Sequence, residues 1–129
     1  MKKITFMQSL AAMTCALALA TAPAWAEPPH RSGGIGLEER AEFARDARNY
    51  NLHLEFARAR DGAYFSDVDL RIRNRAGKTV LTLDHAGPLV QVQLPAGTYR
   101  VEGLRNDVRK QATVQVGKGT KRAILSWAD

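Results

Sequence analysis

The sequence predicts a mainly β protein, a seven-stranded antiparallel β-sandwich preceded by one short α-helix. Three observations predict it. From Tyr50 onward, apolar and polar side chains alternate with period two in seven short runs. Residues able to turn the chain stand between the runs. Ahead of them, residues 37–49 repeat at helical spacing. Short alternating runs separated by turn signals are the pattern of antiparallel strands that share one core. With 129 residues, one domain is expected.

Taken in order, the chain opens with an export address. Lys2 and Lys3 form a positive start, Leu10 to Ala20 an apolar stretch, and Ala24-Trp25-Ala26 a small-x-small cleavage site. The apolar run is shorter than the ~20 residues a bilayer span needs, so residues 1–26 read as a signal peptide cut after Ala26 rather than a transmembrane anchor. The expected location is periplasmic or secreted. Cleavage would remove Cys15, the only cysteine, and would exclude disulfides and thiol chemistry from the exported chain. Losing Lys2 and Lys3 also takes the formal charge from +6 to +4. Residues 27–36, rich in proline and glycine, read as a flexible leader.

Leu37, Ala41, Phe43, Ala44, Ala47 and Tyr50 share a helical spacing. Glu38 and Glu39 stand in the first turn and Arg45 and Arg48 in the last, which suits the helix dipole. Residues 37–49 are therefore read as an amphipathic helix. Its mostly alanine face is expected to dock weakly. Residues 50–129 are read as the sandwich. Its strands centre on Leu52, Leu54 and Phe56; Val68, Leu70 and Ile72; Leu81 and Leu83; Val90, Val92 and Leu94; Tyr99 and Val101; Ala112, Val114 and Val116; and Ala123, Leu125 and Trp127. Asp61-Gly62, Ala76-Gly77, Gly87-Pro88, Pro95-Ala96-Gly97 and Gly117-Lys118-Gly119 punctuate them.

The chemistry-bearing residues form no recognisable catalytic or metal motif. His30, His53 and His85 lack partners at ligand spacing, and His53-x-Glu55 lacks the Cys-x-x-Cys that a zinc deaminase needs. Ser32, Ser66 and Ser126 lie in no Gly-x-Ser-x-Gly elbow. Gly33-Gly34-Ile35-Gly36 lacks the lysine and hydroxyl of a phosphate loop and reads as a joint. No metal and no cofactor are expected.

Arginine is the unusual feature. Arg58 and Arg60 close the first strand, and Arg71, Arg73 and Arg75 follow on the second. If those strands pair as a hairpin around Asp61-Gly62, the guanidiniums of Arg58, Arg60, Arg71 and Arg73 share one outer face suited to an anionic envelope component or an acidic partner protein. Neighbouring acids, Glu55, Asp67, Asp69 and Glu102, favour an ordinary mixed-charge surface as the competing reading. Tyr64 and Phe65, beside Asp61-Gly62-Ala63, are binding candidates too, although at least one is expected to cap the end of the sandwich. Tyr99 is expected to bond back to the preceding loop in the manner of a tyrosine corner.

Leu94-Pro95-Ala96-Gly97-Thr98-Tyr99-Arg100-Val101 resembles the Leu-Pro-x-Gly-x-Tyr-x-Val signature of carboxypeptidase regulatory-like domains. Asp67-Val68-Asp69-Leu70-Arg71-Ile72-Arg73-Asn74, with Gly77 and Val80, is similar to their strand-turn-strand motif. Short motifs at Gly34 to Arg40, Tyr50 to Leu52, Phe56-Ala57, Gly62 to Tyr64 and Gly87-Pro88 resemble those of small exported bacterial proteins of that superfamily. The resemblance spans nearly all of 33–127. It implies a transthyretin-like or immunoglobulin-like sandwich and no particular activity. Hydroxyisourate hydrolases share the general fold but end in Tyr-Arg-Gly-Ser, where this chain reads Ser126-Trp127-Ala128-Asp129.

The expected function is a non-enzymatic periplasmic binding or accessory protein that contacts an envelope protein or anionic envelope component. Nucleic acid is not an expected partner. Two alternatives stand beside it: a small hydrolase using distant residues such as His53, His85 and Asp67, and a structural subunit of an envelope assembly.

Overall fold

Eight strands make two four-stranded sheets in the computed structural model, which describes residues 27–128. The expected signal peptide, residues 1–26, lies outside the described residues. Sheet A runs in the order β1 (His30–Gly33), β5 (Leu89–Val92), β2 (Leu52–Arg58), β8 (Lys121–Trp127). Sheet B runs β4 (Thr79–Ala86), β3 (Val68–Asn74), β6 (Gly97–Arg105), β7 (Val108–Val116). Helix α1 (Leu37–Arg45) and a 3₁₀ turn (Ala47–Asn49) follow β1.

Period-two alternation decides which side chains meet between the sheets. Leu52, Leu54 and Phe56 of β2, Val90 and Val92 of β5 and Leu125 and Trp127 of β8 are buried. They share one cluster with Val68, Leu70, Ile72, Leu81, Tyr99, Val101, Val114 and Val116 of sheet B. Trp127 lies edge-on to Phe56 and Phe65, with ring centroids 6.1 and 6.4 Å away. Its indole N–H donates to the Val108 carbonyl at 2.9 Å, so one side chain ties β8 to β7 across the two sheets. Gly103 makes room for it: a Cβ there would stand 3.1 Å from the Trp127 ring and 3.0 Å from Leu125.

Seven strands lie where alternation places them. The eighth, β1, corrects the reading of 27–36 as a flexible leader. It pairs antiparallel with β5, His30 opposite Val92 and Gly33 opposite Leu89. The Gln93 N–H donates to the Pro29 carbonyl, and the Gly87 N–H donates to Ser32 Oγ. Four residues between prolines and glycines are too few to display a period, but the free edge of β5 offers their backbone a full set of partners. Gly87 permits the close approach, since a Cβ there would meet the Gly33 carbonyl oxygen at 2.7 Å.

Two further corrections concern pairing. The sheets are not wholly antiparallel, because β2 runs parallel to β8, Leu52 opposite Lys121 through Arg58 opposite Trp127. The strands on either side of Asp61-Gly62 also form no hairpin. After Arg58 the chain folds back only far enough for Tyr64 to bridge Ala57 and for the Phe65 N–H to reach the Phe56 carbonyl. It then crosses to sheet B, so β2 and β3 lie in opposite layers. By contrast, β6 and β7 are joined by a two-residue turn, Asn106-Asp107, both with positive φ, the conformation that suits the twist of a hairpin.

Residues 37–49 divide into α1 and the 3₁₀ turn, and α1 is docked rather than loose. No side chain caps Gly36 at its start. Instead Glu39 Oε1 accepts the Gly34 N–H at 2.7 Å, and the Arg40 Nε–H donates to the Gly34 carbonyl. Leu37 points away at 82% exposure, while Phe43 is buried at 4%. The Arg31 guanidinium of β1 stacks 4.4 Å from the Phe43 ring centre and donates to Asp46 at 2.6 Å.

Candidate functional site

The outer face of sheet A carries a polar row that strand register builds across four strands. Arg31, Gln91, His53 and Arg122 stand side by side on β1, β5, β2 and β8. Helix α1 and the 3₁₀ turn after it cover the first three. The last carbonyls of a helix have no intrahelical donors, and this row meets one of them, at Phe43, together with two carbonyls of the segment that follows α1. Gln91 Nε2 donates to the Phe43 carbonyl at 2.9 Å. His53 Nε2 lies 3.1 and 3.2 Å from the carbonyls of Ala47 and Tyr50.

These contacts fix the orientation of the amide. Carbonyls only accept, so His53 Nε2 carries the proton, and in the neutral ring Nδ1 is an acceptor. It faces the second Gln91 N–H at 3.4 Å. Both N–H groups of Gln91 are thereby directed, and its carbonyl oxygen Oε1 is buried with no hydrogen-bond partner. Gln91 is only 4% exposed and is the one buried polar side chain among the described residues. An acceptor left in this state costs about 1–3 kcal/mol of desolvation.

Beside this row the helix stands off the sheet and leaves a cleft of about 210 Å³. Phe43, Ala44, Ala47 and Leu89 line it with the strand segments at Leu54 and Val90; its polar groups are Arg40, His53, Glu55, Tyr64, Gln91 and Arg122. The Arg40 guanidinium stacks 4.3 Å from the Tyr64 ring centre. Tyr64 hydrogen-bonds to Glu55, which together with partial burial and the Glu55 charge holds the phenol above its ordinary value. The charges of Arg40 and Arg122 oppose that shift, which places both guanidiniums around the same phenol. Two cations and one carboxylate leave the cleft with an excess positive charge.

The structure disperses the arginines that the sequence groups together. Arg58 grips Asp61 through Nε and Nη2 at 2.9 and 2.7 Å, and Arg60 is exposed in the adjoining turn. Arg71 and Arg73 stand on β3, in the opposite sheet. Tyr64 enters the cleft at 39% exposure. Phe65 instead closes the sandwich end against Trp127, with Arg105 stacked 3.5 Å from its ring centre. The proposed hydrolase trio does not assemble. His85 Nδ1 lies 3.8 Å from Asp67 on an exposed corner of sheet B, whereas His53 lies against the 3₁₀ turn on sheet A.

Sequence reasoning missed Gln91, Arg40 and Arg122. Alternation directs all of the outer row away from the core but carries no sign that a helix lies over part of it. Among the described residues, no group of three His, Cys, Asp or Glu side chains could hold a metal ion, and no helix is long and apolar enough to cross a membrane. No family model, curated protein or solved structure matches the chain.

Proposed function

We propose that this protein is an exported, non-enzymatic binding module of the carboxypeptidase regulatory-like kind, a transthyretin-like or immunoglobulin-like sandwich that acts in the periplasm or outside the cell. Its ligand sits in the cleft between α1 and the outer face of sheet A. The observation that carries this reading is Gln91: a buried amide whose donors are both directed and whose acceptor is left unpaired. A fold gains nothing from such an acceptor, and a ligand N–H or O–H repairs it. Oε1 is sealed beneath α1, so the helix acts as a lid that shifts when the ligand enters.

The cleft is smaller than the roughly 300–1,000 Å³ of drug-sized sites. It therefore takes a small polar molecule or the end of a longer chain presented by an envelope partner. An amide-correlation NMR screen of small polar compounds against the purified protein tests the reading. Compounds that move the amides of His53 to Glu55 and Leu89 to Gln91, and that bind at least about tenfold more weakly to Gln91→Leu, support it. Hits confined to other surfaces, or hits indifferent to Gln91→Leu, overturn it.

A further inference from the structure

The other concave feature of interest lies on the far sheet. At the β3–β4 turn end of sheet B, a hollow of about 250 Å³ is lined by Arg73, Arg75, Arg100, Thr98 and Thr113 among others. Arg73 and Arg100 are register partners across β3 and β6. Their neighbours Ile72 and Val101 are fully buried, so alternation turns both guanidiniums outward onto one face. Like charges directly opposite each other on a sheet are destabilising, and nothing in the core requires this pair.

The charges are also poorly answered by the protein. The nearest carboxylate to Arg73 is Glu102, at 3.6 Å from Nε, beyond hydrogen-bond reach, and that buried Nε has no hydrogen-bond partner. Among the described residues, Arg75 and Arg100 have no carboxylate within ion-pair distance. Arg75 is carried on a pinned turn: Asn74 Oδ1 accepts the N–H groups of Ala76 and Lys78, and the Asn74 N–H donates to the Lys78 carbonyl. The third cation therefore springs from a fixed point of backbone at the rim of the hollow rather than from a flexible loop.

We infer that this hollow binds a phosphate group, with Arg73, Arg75 and Arg100 as its donors. Three guanidiniums against the one carboxylate of Glu102 leave an excess of two positive charges. A phosphate or phosphomonoester, with roughly −1.5 to −2 charges near neutral pH, cancels that excess, and its tetrahedral oxygens reach cations in three directions. A carboxylate brings one charge and two coplanar oxygens. Guanidiniums suit phosphate because their N–H forks match pairs of its oxygens. The site lies on the opposite sheet from the cleft and stands whether or not the cleft takes a ligand.

The test is an amide-correlation titration of the protein with inorganic phosphate, and separately with acetate, at constant ionic strength. Phosphate is expected to move the amides of Arg73 to Arg75 and Thr98 to Arg100 saturably. Arg100→Gln, an exposed change that leaves the core intact, weakens binding by at least about tenfold. Arg71→Gln, outside the hollow, leaves it unchanged. Equal responses to acetate and phosphate, or wild-type affinity in Arg100→Gln, overturn the assignment. Sedimentation with phosphatidic acid vesicles identifies the source of the phosphate. Pelleting that Arg100→Gln abolishes assigns it to a lipid headgroup; saturable phosphate binding without pelleting assigns it to a soluble phosphate.

Discussion

Asp61 shows how one residue can withdraw another from a binding role. Its carboxylate receives two N–H groups of Arg58 and the Ala63 N–H at 3.1 Å. The Arg58 hydrogen bonds, first, and the Ala63 amide, second, hold its pKa down to about 2. The charged form is thus favoured in the folded state. The stability this contact contributes is present above the unfolded carboxylate value, about 3.9, and is lost as pH falls toward 2. A carbon-detected titration of the Asp61 carboxyl should show a midpoint near 2 in the native protein and one raised toward the ordinary carboxylate value in Arg58→Gln, where the Ala63 N–H remains. An unchanged midpoint would refute the pairing. Arg58 is committed to its own turn, and this explains why a charge visible in the sequence is poorly placed to greet an anionic partner.

At the scale of elements, α1 depends on its docking. Nine residues are too few for a stable isolated helix, which needs about 12–15 even in a favourable sequence. Its attachments are the buried Phe43, the Arg31 contacts and the Phe43 carbonyl met by Gln91, while His53 holds the turn that follows. Phe43→Ala removes the one apolar anchor, at a cost of about 3 kcal/mol. Hydrogen exchange should then lose protection across Glu42 to Asp46 while β2, β5 and β8 keep theirs. Loss of protection in the strands as well would mean that the helix is part of the core unit rather than a lid over it. A pair of bonds from Asn51 sets the neighbouring boundary: its side-chain amide donates to the Leu94 carbonyl and accepts the Leu94 N–H, so the start of β2 is fastened to the chain just beyond β5.

For the whole molecule, the chain passes back and forth between layers, and β1 closes the edge of sheet A that β5 would otherwise present. An uncovered strand edge is a template for pairing with another chain. Deleting residues 27–33 is expected to lower the melting temperature and to convert a concentration-independent elution volume into a concentration-dependent one. Size-exclusion chromatography over a dilution series, with thermal melts, checks both. Monomeric behaviour at every concentration would show that β1 does not guard this edge. Residues 30–33 thereby acquire a structural task that their composition conceals.

The strands of Leu52, Val68, Leu81, Val90, Tyr99, Val114 and Leu125 were legible because alternation is a local property: each residue's direction follows from its neighbours. The hydroxyl of Tyr99, which donates to the Pro95 carbonyl at 2.7 Å, was legible for the same reason. β1 was hidden because its hydrogen bonds come from β5, nearly sixty residues away in the chain. Most of the candidate site was hidden with it, Tyr64 alone among its polar groups being a binding candidate in the sequence. His53, Glu55 and Tyr64 are plainly polar or exposed in the sequence, but Gln91 becomes a buried acceptor only because α1 lies over it, and Arg40 and Arg122 meet only around Tyr64. The sequence alone determined the mainly β class, seven of the strands and which side chains face the core. Tertiary structure decided which strands pair, which outer face is covered and which arginines stand together, because those depend on contacts between distant segments competing for the same edges and surfaces.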